Sequence, residues 1–222
     1  MIKLHYFVLC PFSRKIFVAL KEKKIDFVAV KENIISETDG KKNIRSFDDI
    51  LILEDSGKEY SNHISIAEYL DEKYNNVKLI GSTIDDRAKS RRISNLFDIQ
   101  FYNHVVRPIL YERLYKFITN KGGPDSIVIR EKRKYIQLYL NHLTDMLQDQ
   151  NKWLIDNNLN YADIAVASQL SVLDYFGDIS WEGYTEVKSW YALIKSRPSF
   201  RLIIEERISG FSPPPYYNNP DF

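Results

Sequence analysis

Cysteine is nearly absent: Cys10 is the only one in 222 residues. A lone thiol cannot close a disulfide within the chain, which excludes a disulfide-stapled scaffold and an internal dithiol redox pair. An excess of one charge is missing too. The 31 basic side chains face 30 acidic ones, for a formal net charge of +1. The balance holds in both halves, so no electrostatic grip on nucleic acid or anionic lipid is implied. No window approaches the roughly 18 apolar residues of a membrane span. The opening MIKLHYFVLC lacks the charged start and apolar stretch of a signal peptide. These absences predict a cytoplasmic protein with no membrane insertion and no nucleic-acid partner. His5, His63, His104 and His142 share no metal-ligand spacing, so no metal site is expected. Neither a P-loop nor a dinucleotide fingerprint occurs.

What is present is material for a core: 44% of the residues are apolar and 14% aromatic, enough for one large or two modest domains. IKLHYF reads as a short strand. A helix follows from residue 11 to 23, with Phe12, Ile16, Ala19 and Leu20 on one side and Pro11 at the first helical position, where a missing N–H costs nothing. DFVAV is a second strand. Residues 33–49 are polar and weakly patterned, a loop or poor helix. ILILED and SGKEYS form a hairpin turned at Ser56-Gly57, and ISIAEYLDEKY a helix. After the connector NNVKLIGSTID strand signals vanish. Ile93, Leu96, Phe97, Phe101 and Val105 recur at helical spacing, with a kink expected at Pro108. A second long helix carries Ile136, Tyr139, Leu140, Leu143, Met146 and Leu147 on one face. LNYADIAVASQLSVLDYFG opens with a capping box, Asn160 with Asp163, and its apolar middle predicts a buried central helix. Two shorter helices follow, at 184–196 and 198–206. The ending GFSPPPYYNNPDF is neither helix nor strand.

The chain thus divides into an α/β part, 1–76; a linker, 77–85; an all-α part, 86–206; and a tail rich in proline and aromatics, 207–222. This plan resembles the glutathione transferase family: a thioredoxin-like N-terminal domain followed by a helical C-terminal domain. The likeness rests on CPFSRKIFVAL after the first strand, ILILEDSG at the third, ISIAEYLDEKY after the hairpin, and NYADIAVA at the capping box. YERLYKFITNKGGPDS, LSVLDYFGDISW, WYALIKSRPSF, ERISGF and the proline-rich ending are further similar to an alphaproteobacterial branch of the family. That branch includes a cell-division protein that associates with the tubulin-like division protein FtsZ, and the resemblance implies a dimer that does not depend on glutathione.

The family's chemistry needs three features. The first is a Ser, Tyr or Cys where the opening helix begins, to stabilise a bound thiolate with help from the helix dipole. Cys10 and Ser13 are the candidates, either as catalytic groups or as a small buried residue and a helix-start hydrogen bonder. The second is a cis-proline before the third strand, which turns the backbone toward the cysteinyl part of glutathione. Ile50-Leu51-Ile52-Leu53 has Leu51 there, and a cis bond before a non-proline costs about 2.5–4 kcal/mol, so a trans peptide is expected. The family's preceding Asn-Pro-x-Gly turn reads Arg45-Ser46-Phe47-Asp48. The third is an acid followed by Ser or Thr for the γ-glutamyl end. Here the pair is Asn62-His63, and losing one charged hydrogen bond costs about 1.5–3 kcal/mol. Leu51, Ile52, Asn62 and His63 therefore mark a degenerate glutathione site, and no cofactor is expected.

The resemblance implies a homodimeric cell-division factor that binds FtsZ or other division proteins without efficient transferase activity. The alternative is a glutathione transferase, or a glutathione-dependent thiol enzyme, using Cys10 or Ser13. In the tail, Pro213-Pro214-Pro215 favours an extended polyproline segment. Pro214, Pro215, Tyr216, Tyr217, Asp221 and Phe222 are candidate partner contacts, with packing of the tail on its own helical domain as the other possibility. The basic stretches Arg87–Arg92 and Arg130–Lys134 are solvated helix faces or a docking patch for an acidic partner.

Overall fold

A computed structural model describes residues 1–38, 41–147, 152–155 and 158–219. The N-terminal layer is a four-stranded sheet in the order β2-β1-β5-β6. β1 (Ile2–Tyr6) runs parallel to β2 (Phe27–Lys31) and antiparallel to β5 (Ile52–Asp55), which pairs with β6 (Lys58–Ser61). The parallel pair needs a crossover, and α1 (Pro11–Glu22) supplies it. α1 is buried from Pro11 to Leu20, because the sheet covers one side and the helical part the other.

Between β2 and β5 lies the first difference from the sequence reading. Residues 33–49 hold a two-stranded hairpin, β3 (Ile35–Thr38) with β4 (Lys41–Ile44), and a one-turn helix, α2 (Phe47–Ile50). α2 is closed by a Ser46–Asp49 capping box. The hairpin forms its own small sheet, apart from the four-stranded one, and its residues show no clear two-residue alternation of apolar and polar side chains. α3 (His63–Lys73) completes the layer.

The helical part opens at α4 (Ile84–Asn95), capped by a Thr83–Asp86 box. The helix then continues through Leu96–Val106, α5 (Arg107–Leu110), Tyr111–Tyr115 and α6 (Lys116–Ile118), the two unlabelled segments being π-helical. Widened turns thus lie on either side of Pro108, and the chain stays helical through the proline. α7 (Ser126–Leu147), α8 (Tyr161–Tyr175), α9 (Thr185–Lys195) and α10 (Pro198–Ile204) follow.

α8 is buried along its whole length, as its apolar middle predicts. Its cap does more than start the helix. Asp163 accepts from Asn160 N at 3.1 Å with one oxygen, and from Leu154 N at 2.9 Å and Trp190 Nε1 at 3.0 Å with the other. One carboxylate therefore ties the helix start to two neighbouring segments. No helix among the described residues is long and apolar enough to cross a membrane.

The described part of the tail packs against the helical part. Pro215–Asn218 makes a 3-10 turn, and Tyr217 is fully buried. Asp221 and Phe222 lie outside the described residues.

Candidate functional site

Cys10 is the N-cap of α1, and its Sγ accepts a hydrogen bond from Ser13 N at 3.3 Å. Ser13 Oγ turns the other way and accepts from Phe7 N at 3.3 Å. Both residues are fully buried. Thiol and hydroxyl are thus brought to the helix start, as the sequence suggested, and both are occupied in closing the β1–α1 turn.

The Ile50–Leu51 peptide is trans, as expected for leucine. Leu51 caps α2, and its N–H donates to Phe47 O at 2.9 Å. A proline has no N–H to give, so this bond is one that leucine adds at the position where the family has its cis-proline, and it ties the trans peptide to α2. Leu51 is fully buried and Ile52 partly so.

Asn62 sits at φ 69, ψ 122 and caps α3, its side-chain oxygen accepting from Ile64 N at 2.9 Å and Ser65 N at 3.4 Å. Asparagine tolerates positive φ better than most residues, and its carbonyl end is the capping group. It brings no charge to meet an ammonium.

His63 points inward. Its ring stacks on Phe12 with centroids 4.1 Å apart and 13° between planes. Neither ring nitrogen has a hydrogen-bond partner, and Nε2 lies 3.6 Å from Asp98 Oδ2. Burial pushes its pKa down from 6.5 to about 4; the Lys15 charge lowers it further and Asp98 raises it. The imidazole is therefore neutral at pH 7. Asp98 is the centre of a polar seam between the two layers: it takes Lys15 Nζ at 2.6 Å and Gln169 Nε2 at 3.1 Å. Lys15, Asp98 and Gln169 are all buried. Sequence reasoning missed this seam. The available signal was an aspartate inside the apolar helical run LFDIQF.

A cleft of about 470 Å³ opens over His63, with Asn62, Phe12, Phe47, Tyr102 and Tyr115 among its walls and Arg45 and Arg107 also lining it. Its aromatic side is continuous: Phe12 to Tyr102 is 4.7 Å, Phe47 to Tyr102 6.3 Å and Phe47 to Tyr115 6.4 Å between centroids. Arg45 is held by Glu32 at 2.7 Å and by Asp49 O at 2.8 Å. Burial raises the Tyr115 pKa well above its usual value, Cys10 adding to the rise and Arg107 opposing it. Cys10, Ser13, Leu51 and Ile52 contribute nothing to the lining. Of the predicted positions, only Asn62 and His63 face the cleft. The structure thus provides a pocket in the expected place whose thiol-handling groups lie behind its wall.

Among the tail candidates, Pro215 is exposed and Pro214 and Tyr216 are half-buried. Tyr217 leaves the set of partner contacts, because its ring is inside the protein and its hydroxyl accepts from Arg14 Nη1 at 2.9 Å.

The mixed sheet, the helical layer and the cleft at the start of α1 and α3 define the glutathione S-transferase fold. Residues 110–205 match the model of the glutathione S-transferase C-terminal domain. FtsZ-localized protein A of Caulobacter vibrioides is 32% identical over 99% of this chain and 97% of its own. A glutathione S-transferase from Rhodospirillum rubrum superposes with a TM-score of 0.90 at 36% identity, covering all of both chains. FzlA from C. crescentus superposes with a TM-score of 0.84 at 29% identity, over 100% of this chain and 99% of its own. The chain belongs to the glutathione S-transferase-like family that includes FtsZ-localized protein A.

Proposed function

We propose that this protein is a cell-division factor that associates with FtsZ filaments and carries out no efficient glutathione transfer. The observation that carries the second half is the trans Ile50–Leu51 peptide, with Leu51 bonded back to Phe47 O, where the family uses a cis-proline to turn its backbone toward the ligand. Buried Cys10 and Ser13 and the uncharged Asn62 point the same way. A tripeptide thiol in this cleft would lose its backbone pairing, its ammonium counter-charge and its thiolate partner together. Each lost charged hydrogen bond costs about 1.5–3 kcal/mol, roughly one to two decades of affinity. Support for the first half comes from the near-full-length similarity to a protein named for its localisation with FtsZ.

In this proposal the protein works in the cytoplasm as a homodimer, needs no cofactor, and meets its partner partly through Pro214, Pro215 and Tyr216, with Asp221 and Phe222 as further contacts. Co-sedimentation with FtsZ polymers tests it. The protein should pellet with polymer at micromolar concentration, and its absence from the pellet would refute FtsZ association.

A second reading is favoured by the 36%-identical R. rubrum protein, which bears the name glutathione S-transferase. It makes this chain a glutathione transferase or glutathione-dependent thiol enzyme using Cys10 or Ser13. Retention on immobilised glutathione, with turnover lost in Cys10→Ala or Ser13→Ala, would establish it.

A further inference from the structure

Arg14 is the largest fully buried side chain, at 1% exposure. A guanidinium stays charged in protein interiors, so its N–H groups need acceptors. Three different parts of the fold supply them. Nε donates to Val8 O in the β1–α1 turn at 2.7 Å. Nη1 donates to Ser171 Oγ on α8 at 2.7 Å and to the Tyr217 hydroxyl in the tail at 2.9 Å. Nη2 has no partner. With so few acceptors, each one matters.

The tail is held elsewhere as well. Tyr175 Oη donates to Phe211 O at 3.0 Å and accepts from Ile208 N at 3.2 Å. Pro214 sits against Gly177, at φ +68, so closely that a Cβ there would lie 3.1 Å from Pro214 Cγ. Tyr217 is the deepest anchor. Its ring meets Tyr175 edge-on at 5.3 Å, with Lys195 Nζ 5.8 Å from its centroid. The neighbouring tail residues Pro215, Asn218 and Asn219 remain exposed.

We propose that the tail is a strap latched to Arg14 through Tyr217, so that lifting the tail loosens the β1–α1 turn that carries Cys10. Whatever grips the exposed side of residues 215–219 works against the Tyr217–Arg14 bond. When that bond opens, the guanidinium keeps Val8 O and Ser171 Oγ as hydrogen-bond acceptors, with the buried Asp174 carboxylate acting on it at longer range, and the turn it pins through Val8 shifts to satisfy it. By linkage the coupling is reciprocal: loosening Arg14 frees the tail. The coupling lies inside the chain and holds whichever partner the tail meets.

Hydrogen exchange in the full-length protein reads both ends. The Phe7 and Cys10 amides are bonded to Ser13 Oγ and Phe7 O, and the Tyr217 and Asn219 amides to Pro214 O and Tyr216 O. Tyr217→Phe keeps the ring and removes only the acceptor. It should speed exchange about tenfold or more in peptides covering residues 7–10, as expected when a hydrogen bond to a charged group is lost. Arg14→Lys should speed exchange at residues 217–219. Tyr216→Ala, which leaves the Arg14 bond intact, should leave residues 7–10 unchanged. Faster exchange confined to the tail in Tyr217→Phe, or to the β1–α1 turn in Arg14→Lys, would overturn the latch.

Discussion

Replacing Lys15 by Met removes the cation from a pair that is almost fully buried, 3% and 2% exposed on its two sides, with Nζ 2.6 Å from Asp98 Oδ2. Asp98 then keeps Gln169 Nε2 at 3.1 Å and faces His63 at 3.6 Å. Removing one partner of such a pair strands the other and costs about 3–5 kcal/mol. Against a total stability of about 5–15 kcal/mol this is a large loss. At about 2–4 °C per kcal/mol for a chain of this size, Tm should fall by about 6–20 °C at pH 7. His63 makes the effect depend on pH. In the parent protein its pKa drops from 6.5 unfolded to about 4 folded. The unfolded chain therefore takes up the proton first, and stability is lost as pH falls from 6.5 toward 4, in all on the order of 3 kcal/mol. Without Lys15 one cause of the lowering is gone while Asp98 remains, so the His63 pKa rises and the imidazolium can replace the missing cation. The Lys15→Met penalty should then be smaller at pH 5 than at pH 7, measured by urea unfolding at both. Equal penalties at the two pH values, or a penalty below about 1 kcal/mol at pH 7, would refute the coupling of Lys15, Asp98 and His63.

Cys10, with no exposed surface and its sulfur capping α1, should react with a thiol reagent only as fast as the protein opens, and rapidly in denaturing urea; fast labelling of the native protein would contradict the buried cap. Asn62→Ala should lower stability by about 1–2 kcal/mol, because it removes the acceptor for Ile64 N and Ser65 N and puts alanine at φ 69. Asn62→Gly also removes that acceptor but suits positive φ, so it should cost less than Asn62→Ala; an unchanged urea midpoint in Asn62→Ala would remove the capping role.

The elements that form by local rules were readable in the sequence. α1 shows its start in Cys10-Pro11, β5 and β6 show their turn in Ser56-Gly57, and α8 shows its capping box in Asn160 and Asp163. The β3–β4 hairpin was not readable, because it stands off the main sheet and alternates weakly. At the site, the missing proline at Leu51 and missing acid at Asn62 were visible in the residues themselves. The seam of Lys15, Asp98, Gln169 and His63 was not, since it joins α1, α3, α8 and the helix following α4 across the domain boundary. Nor was Arg14, whose bond to Tyr217 spans 203 positions. A lone Arg or Lys in an amphipathic helix reads as a solvated group, and only the packing of a second layer buries it.

Calorimetric titration of the intact protein with glutathione at pH 7 tests most directly whether the cleft has abandoned the tripeptide. The expected result is no saturable heat up to millimolar ligand. Stoichiometric binding at micromolar affinity, weakened by Cys10→Ala or Ser13→Ala, would mean that the thiol groups reach the cleft after all.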